Sequence, residues 1–181
     1  ADADLRQTSR AWGVQNDASL KLGDAHTLRM GTHYQHDRTR SSSINRVFDV
    51  DENGEQDGDD PIVILIDQAL TGKTYSFYAQ HEWRLGDALT LNYGLRYDRF
   101  EAAISEDQLS PRVALVWKPG DATTFHAGYA RTFTPPPLEL IAGGALEEFD
   151  GTTGETPAQQ GDPVRAQRDH IFDIGVQQIL G

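Results

Sequence analysis

The sequence predicts an all-β fold, an antiparallel up-and-down sheet of about seven strands that forms a segment of a transmembrane β-barrel. Apolar and polar residues alternate with period two in seven segments, and tight turns join three pairs of them. No apolar run reaches the ~18 residues of a membrane-spanning helix. The strands are predicted near residues 10–22, 26–38, 73–85, 89–102, 109–118, 123–133 and 169–180.

Each predicted strand has one apolar and one polar face. In the third strand the odd positions from Tyr75 to Leu85 are apolar or aromatic apart from His81, and the even positions are polar. Successive side chains of a strand point to opposite faces, so this pattern indicates a two-faced sheet. The apolar face is predicted to carry Trp12, Val14, Leu20, Leu28, Met30, Phe77, Trp83, Leu91, Leu95, Val113, Leu115, Phe125, Phe172, Ile174 and Val176.

Tight turns and long connections alternate along the chain. The residues Leu-Gly-Asp-Ala occur at 22–25 and again at 85–88, and Pro119–Ala122 is a close variant. Glycine supplies an unusual backbone angle and aspartate bonds its own backbone, so these segments are predicted to be turns. The other connections are predicted to be long, at residues 38–72, 99–109 and 134–169. Short turns at one end and long loops at the other are typical of an outer-membrane barrel.

The face pattern also predicts the hairpin registers. Apolar residues should pair with apolar residues across each ladder. This requirement places Leu22 opposite His26, Leu85 opposite Leu89, and Trp117 opposite Thr123.

Aromatic residues are predicted to form two bands at the levels of the lipid headgroups. Trp83 and Trp117 fall near the short-turn end. The long-loop end is predicted to carry Trp12, Tyr34, Tyr75, Phe77, Tyr97, Tyr129 and Phe133.

Composition excludes several classes of function. Acidic residues outnumber basic ones 28 to 16, giving a formal net charge of −12, which argues against nucleic acid as a partner. The absence of cysteine excludes disulfides and cysteine-based zinc sites. No spacing of nucleophile, base and acid suggests a catalytic constellation, so we predict that the protein is not an enzyme.

Three stretches resemble the barrel of TonB-dependent outer-membrane receptors. The first, Phe77–Asp98, has Glu-Trp before a tight turn and Gly-Leu-Arg-Tyr-Asp after it. The second, Leu109–Pro119, begins with a strand opened by Ser-Pro-Arg. The third, Thr123–Glu139, is a strand containing Gly-Tyr that runs into prolines. The resemblance implies a ~22-stranded barrel plugged by an N-terminal domain. It also implies residence in the outer membrane of a Gram-negative-type bacterium, in contact with its lipid. The implied function is TonB-dependent import of a scarce small molecule such as a ferric siderophore or a cobalamin-like compound.

Residues 1–181 are expected to form only part of such a barrel domain, without the plug through which TonB would act. Seven strands should then form an open sheet and not a closed barrel. One alternative is a complete small outer-membrane barrel of the structural or adhesin type, which requires a ladder between residues 10–22 and 169–180. Another is a soluble β-sandwich that acts as a binding module.

The polar face supplies the candidate binding residues. Tyr78, Arg84, Arg96 and Arg112 are predicted to line the lumen, where they would contact a ligand or the carboxylates of a plug. Few acids share this face; they are Asp17, Glu82 and Asp98. The competing interpretation is that the arginines are solvated lumen charges without a specific task. No cofactor is expected on this face.

An acidic loop at residues 49–60 is the one candidate metal site. Asp49, Asp51, Asn53 and Asp57 stand at positions 1, 3, 5 and 9 of a calcium-loop pattern, with Gly54 at position 6. The twelfth position is Asp60 instead of the bidentate glutamate. The alternative is a solvated loop tip.

Overall fold

A computed structural model describes residues 2–138, 149–155 and 164–180, and contains one antiparallel sheet. No helix in these ranges is both long and apolar enough to cross a membrane. The seven strands are β1 (Asp2–Leu22), β2 (His26–Val47), β3 (Ile62–Leu85), β4 (Leu89–Glu101), β5 (Ser105–Gly120), β6 (Thr123–Thr134) and β7 (Gln167–Gln178).

The sheet is open. Every strand pairs with its neighbours in sequence, and β1 and β7 lie at the two edges. In the described part of the chain no ladder joins these edge strands, as the prediction of an open sheet requires. The ladder on which the small-barrel alternative depends is therefore missing from these residues. A sandwich would need a second sheet packed on the first, and the described strands form a single one.

The strand registers confirm the two predicted faces. Trp83 lies opposite Leu91, which lies opposite Leu115, so these residues share one side, the outer face. Arg96 pairs with Ser110 on the other side, the inner face, which also carries Arg84 and Arg112. The outer face exposes large apolar side chains, and Ile174 is 85% accessible. Such exposure on a regular sheet is typical of the outer surface of a transmembrane barrel.

Two of the three predicted hairpin registers are confirmed. Leu22 pairs with His26 and Leu85 pairs with Leu89. In both turns the glycine has a positive φ, 70° at Gly23 and 71° at Gly86, a backbone angle that glycine tolerates at little cost.

The predicted register of the third hairpin is wrong by two residues. Trp117 lies opposite Phe125, not Thr123, and Gly120 pairs with Thr123 across the turn. The ladder is irregular between Trp117 and Gly120. Proline has no N–H to donate, so Pro119 interrupts the ladder at this point. A shift of two residues keeps each side chain on its predicted face.

Two of the connections predicted to be long are much shorter. The first occupies residues 48–61, because β2 and β3 remain paired up to Val47 and Ile62. The second is a turn over residues 102–104, where Ala102 N–H donates to the Ile104 carbonyl at 2.8 Å. In these strand extensions residues 39–43 and 105–108 are polar on both faces and residues 62–66 are apolar on both, so alternation could not reveal them. Backbone pairing in water does not require an apolar face.

Aromatic rings contact one another at both ends of the outer face. Toward the long-loop end, Trp12 packs edge-on against Tyr34, which packs against Tyr75, with centroids 5.3 and 5.2 Å apart. At the short-turn end, Trp117 stacks on Phe125 at 5.3 Å. The contacts support the predicted bands.

The described residues of the β6–β7 connection contact the sheet at the long-loop end. After Pro135–Pro137 ends β6, Leu138 is buried against Gly72 of β3 and Phe100 of β4. Further along, Thr153 N–H donates to the Phe48 carbonyl at 2.8 Å beyond the end of β2. The small apolar core of the described residues lies under this connection and comprises Val47, Ile64, Phe100, Leu138 and Ala166.

Candidate lumen-facing site

A buried carboxylate on the inner face, that of Asp98, accepts hydrogen bonds from two neighbouring side chains. Asp98 of β4 is 5% accessible and lies directly opposite Ser76 of β3, which is 1% accessible. The Ser76 hydroxyl donates to Asp98 Oδ1 at 2.6 Å, and Arg96 Nε donates to both carboxylate oxygens at 2.8 and 2.9 Å. A buried charge needs such partners, so this group fixes Arg96 in place.

Tyr78 forms a second group that reaches across β2. Its hydroxyl donates to Asp17 Oδ1 of β1 at 2.6 Å, and Gln15 Nε2 donates to Asp17 Oδ2 at 2.6 Å. The Tyr78 ring passes over Gly31 of β2, where a Cβ would collide with the ring. Glycine at this position therefore makes room for the contact between β3 and β1.

Glu82 forms a third group nearer the short turns. Arg29 Nη1 donates to Glu82 Oε2 at 3.0 Å, and Arg84 Nη2 lies 3.2 Å from Oε1. Glu82 is well shielded, whereas the side chains of both arginines are substantially exposed. The carboxylate neutralises part of the positive charge on this face.

Arg112 of β5 differs from the other three predicted residues. Its side chain is exposed, and within the described ranges it makes no hydrogen bond or ion pair. It borders a hollow of about 390 Å³ beside Gln80 and Asn92. An exposed guanidinium without an acidic partner is available to an anionic ligand or to a carboxylate of another domain.

The four predicted lumen residues therefore share the inner face but do not form one constellation. Tyr78 and Arg96 border one hollow of about 230 Å³, together with Asp17, Ser76 and His33. Arg84 and Arg96 already pair with acids of the same sheet, which weakens the expectation that a plug carboxylate partners them. Sequence reasoning did not anticipate Ser76, although its register position opposite Asp98 would have indicated the contact.

The acidic loop is organised by its own hydrogen bonds. The Asp51 carboxylate accepts the backbone N–H groups of Asn53 and Glu55 at 2.9 and 3.0 Å. The hydrogen bond from Glu55 is the main cause that holds the pKa of Asp51 below its ordinary value, and Asn53 adds to it. In the described part of the chain no three His, Cys, Asp or Glu side chains converge to hold a metal ion. Calcium binding by Asp49, Asp51, Asn53 and Asp57 stays a prediction.

The arrangement of an apolar outer surface and a polar inner surface agrees with a comparison against protein families. The family model described as TonB dependent receptor-like, beta-barrel, matches residues 1–177. The chain belongs to the TonB-dependent receptor β-barrel family. The family and the solved structures below are transport receptors and not enzymes. No curated protein sequence matches the chain.

Solved structures of siderophore receptors share the fold of this TonB-dependent receptor segment. The ferripyoverdine receptor of the outer membrane of Pseudomonas aeruginosa, bound to ferripyoverdine, matches with a TM-score of 0.60 at 16% identity, over 96% of this chain and 23% of that one. The siderophore receptor PiuA from Acinetobacter baumannii matches with a TM-score of 0.56 at 15% identity, over 95% and 29%. FpvAI in its complex with pyocin S2 matches with a TM-score of 0.52 at 18% identity, over 75% and 20%. The chain thus spans between a fifth and a third of these receptors.

Proposed function

We propose that this chain forms part of the barrel wall of an outer-membrane receptor in a Gram-negative-type bacterium, which imports a scarce small molecule in a TonB-dependent manner. The observation that carries the proposal is the two-faced sheet in a chain that belongs to this family. One face offers exposed apolar residues to lipid, and the other holds buried and paired charges that suit an aqueous lumen.

The ligand class is proposed from the relatives and from the charge of the inner face. Two of the relatives are named as siderophore or ferripyoverdine receptors, so a ferric siderophore is the first candidate and a cobalamin-like molecule the second. Arg112 gives this segment an exposed positive charge toward the lumen. We propose that it attracts an anionic ferric chelate, or a carboxylate of the plug through which TonB acts.

Uptake by cells that carry or lack the gene tests the proposal. Deletion is expected to abolish import of one radiolabelled ferric siderophore, or of cobalamin, in iron-limited or cobalamin-limited cells. Deletion of TonB should give the same loss. Import that persists without the gene for every ligand tried, or that proceeds without TonB, would overturn the proposal.

Two arginine variants locate the effect within this segment. Arg112→Ala is expected to weaken ligand binding by about tenfold, the size of one lost charge-assisted hydrogen bond. Arg84→Ala is the matched control, because Glu82 already partners that side chain. Equal effects of the two substitutions would show that Arg112 has no special part in ligand binding.

A further inference from the structure

The outer face changes from aromatic to basic side chains just beyond the aromatic band at the long-loop end. Trp12 pairs with His36 and stacks on it at 5.6 Å. Two residues nearer the long-loop end on both strands, Arg10 pairs with Arg38 on the same face. We call the group formed by Arg6, Arg10, Arg38 and Arg40 the arginine band; its members lie at even positions of β1 and β2, the positions that carry the outer face in these strands.

The arginine band concentrates positive charge on a chain whose net charge is −12. Arg10 and Arg38 lie directly opposite each other, a pairing of like charges that destabilises a sheet unless an anion compensates it. Arg40 pairs with Asp67 of β3 through two hydrogen bonds. The other nearby acids on this face are Asp4 beyond Arg6 and Glu101, which pairs with Arg99. In the described chain no acid pairs with Arg10 or Arg38.

The band also encloses a space that suits a phosphate group. The four arginines border a cleft of about 470 Å³, with the hydroxyls of Thr8 and Ser42 as further donors and Asp67 at its side. Guanidinium groups bind phosphate oxygens through paired hydrogen bonds, and hydroxyls donate to them as well. All four arginines are exposed, so a ligand can reach them.

The position of the arginine band relative to the aromatic side chains indicates which kind of phosphate group it would bind. A step of two residues along a strand is about 7 Å, so Arg10 and Arg38 lie about that far beyond the Trp12–His36 pair. Aromatic rings at a membrane interface mark the headgroup level, and basic residues just outside it bind anionic lipid. The position is therefore better suited to a headgroup than to a soluble acidic protein.

We propose that the arginine band binds the phosphate groups of a phosphorylated lipid in the outer leaflet. This inference rests on the proposed function, because that function places the outer face in the outer membrane. It adds a lipid site on the wall of the receptor, separate from the lumen. The bound phosphates would remove the repulsion between Arg10 and Arg38.

Vesicle flotation of the refolded full chain tests the site. The vesicles contain phosphatidylcholine alone, phosphatidylcholine with a bisphosphorylated glycolipid, or phosphatidylcholine with the same glycolipid after removal of its phosphates. The phosphorylated vesicles are expected to bind the chain at least tenfold more tightly than the other two. The double variant R10Q/R38Q should lose that preference, since each basic residue near an anionic surface contributes a factor of about five.

The matched control removes the same charge elsewhere. K21Q/K118Q changes two lysines at the short-turn end and should keep the preference for phosphorylated vesicles. No preference in the unchanged chain, or equal losses in the two double variants, would overturn the lipid site while the proposed function stands. Full competition by millimolar inorganic phosphate, or by an acidic peptide, would overturn the assignment to lipid.

Discussion

The outer and inner faces of the same strands reverse the usual relation between polarity and burial. On β4, Leu95 of the outer face is 51% accessible, whereas Asp98 of the inner face is 5% accessible. Soluble proteins bury leucine and expose aspartate. The difference shows that the apolar residues of the outer face do not form a core. An exposed apolar face of this kind is suited to lipid, whereas hydrogen bonds and ion pairs hold the inner face together.

A charge placed on each face in turn gives the largest test of this comparison. Leu115→Arg puts a guanidinium on the outer face between Leu91 and Ala127, and we expect it to reduce the free energy of folding into vesicles by about 2–4 kcal/mol. Ala114→Arg is the adjacent control on the inner face and should cost much less. Urea titrations of folding into phosphatidylcholine vesicles measure both. Equal costs would contradict the assignment of the faces.

Removal of a carboxylate distinguishes a buried group from an exposed one. Asp98→Ala removes the acceptor of the hydrogen bonds from Arg96 and from the buried Ser76 hydroxyl. We expect a loss of about 1–3 kcal/mol in the free energy of unfolding. Asp67→Ala is the control, because the Arg40–Asp67 pair is exposed and screened by water, and it should cost much less. Chemical denaturation in detergent micelles compares them. A larger loss for Asp67 would contradict the idea that burial of the Asp98 group strengthens the inner face.

Two inner-face glycines provide a smaller test of close packing. A Cβ at Gly31 would meet the Tyr78 ring, Asp17 Oδ1 at 2.6 Å and the backbone oxygen of Asn16 at 2.8 Å. Gly31→Ala should therefore destabilise the protein by about 1–2 kcal/mol and disturb the Tyr78–Asp17 hydrogen bond. At Gly128 the nearest atom would be 3.7 Å away, so Gly128→Ala should be neutral or slightly stabilising. Tyrosine fluorescence and unfolding midpoints follow the two variants. An unchanged stability of Gly31→Ala would show that the Tyr78 side chain can reach Asp17 in a different orientation.

Alternation predicted the membrane-crossing part of the fold because lipid requires it there. Each strand between the two aromatic bands has to present an apolar residue at every second position, and the paired turns at Gly23 and Gly86 fix the register. The faces of Tyr78, Arg84, Arg96 and Arg112 followed directly from this pattern. It failed beyond the aromatic residues of the long-loop end. There residues 39–43 are polar on both faces and residues 62–66 are apolar on both, so the long loop predicted at residues 38–72 was wrong.

The contacts of the candidate site were harder to predict than its face. Ser76 and Asp98 meet across one ladder, which a correct register reveals. Tyr78 reaches Asp17 over an intervening strand, so the contact depends on ring direction and on Gly31. The arginine band did not follow from the predicted strands, because Arg6 and Arg40 lie outside them and Arg10 and Arg38 stand at their ends. Their even numbering continues the outer-face positions of Tyr34 and His36 and is the signal that could have identified it.

The acidic loop offers the smallest and most local test, because it lies beyond both faces. Asp51 accepts backbone hydrogen bonds that hold its pKa below the ordinary value. The ionised Asp51 carboxylate therefore stabilises the loop at neutral pH. That effect should be lost as the pH falls below about 4 and the carboxylate takes up a proton. Hydrogen exchange at the amides of Asn53 and Glu55 should therefore show protection at pH 7 that Asp51→Ala removes. Asp59→Ala, in the same loop, should leave it unchanged.

The same amides test whether the loop also binds calcium. Protection in metal-free buffer is expected from the hydrogen bonds of Asp51 alone. If Asp49, Asp51, Asn53 and Asp57 bind the ion, millimolar calcium should slow exchange further, and Asp57→Asn should remove only that additional slowing. Magnesium at the same concentration controls for screening of the acidic charges. Protection that appears only with calcium would contradict the loop described here, because its hydrogen bonds form without an ion.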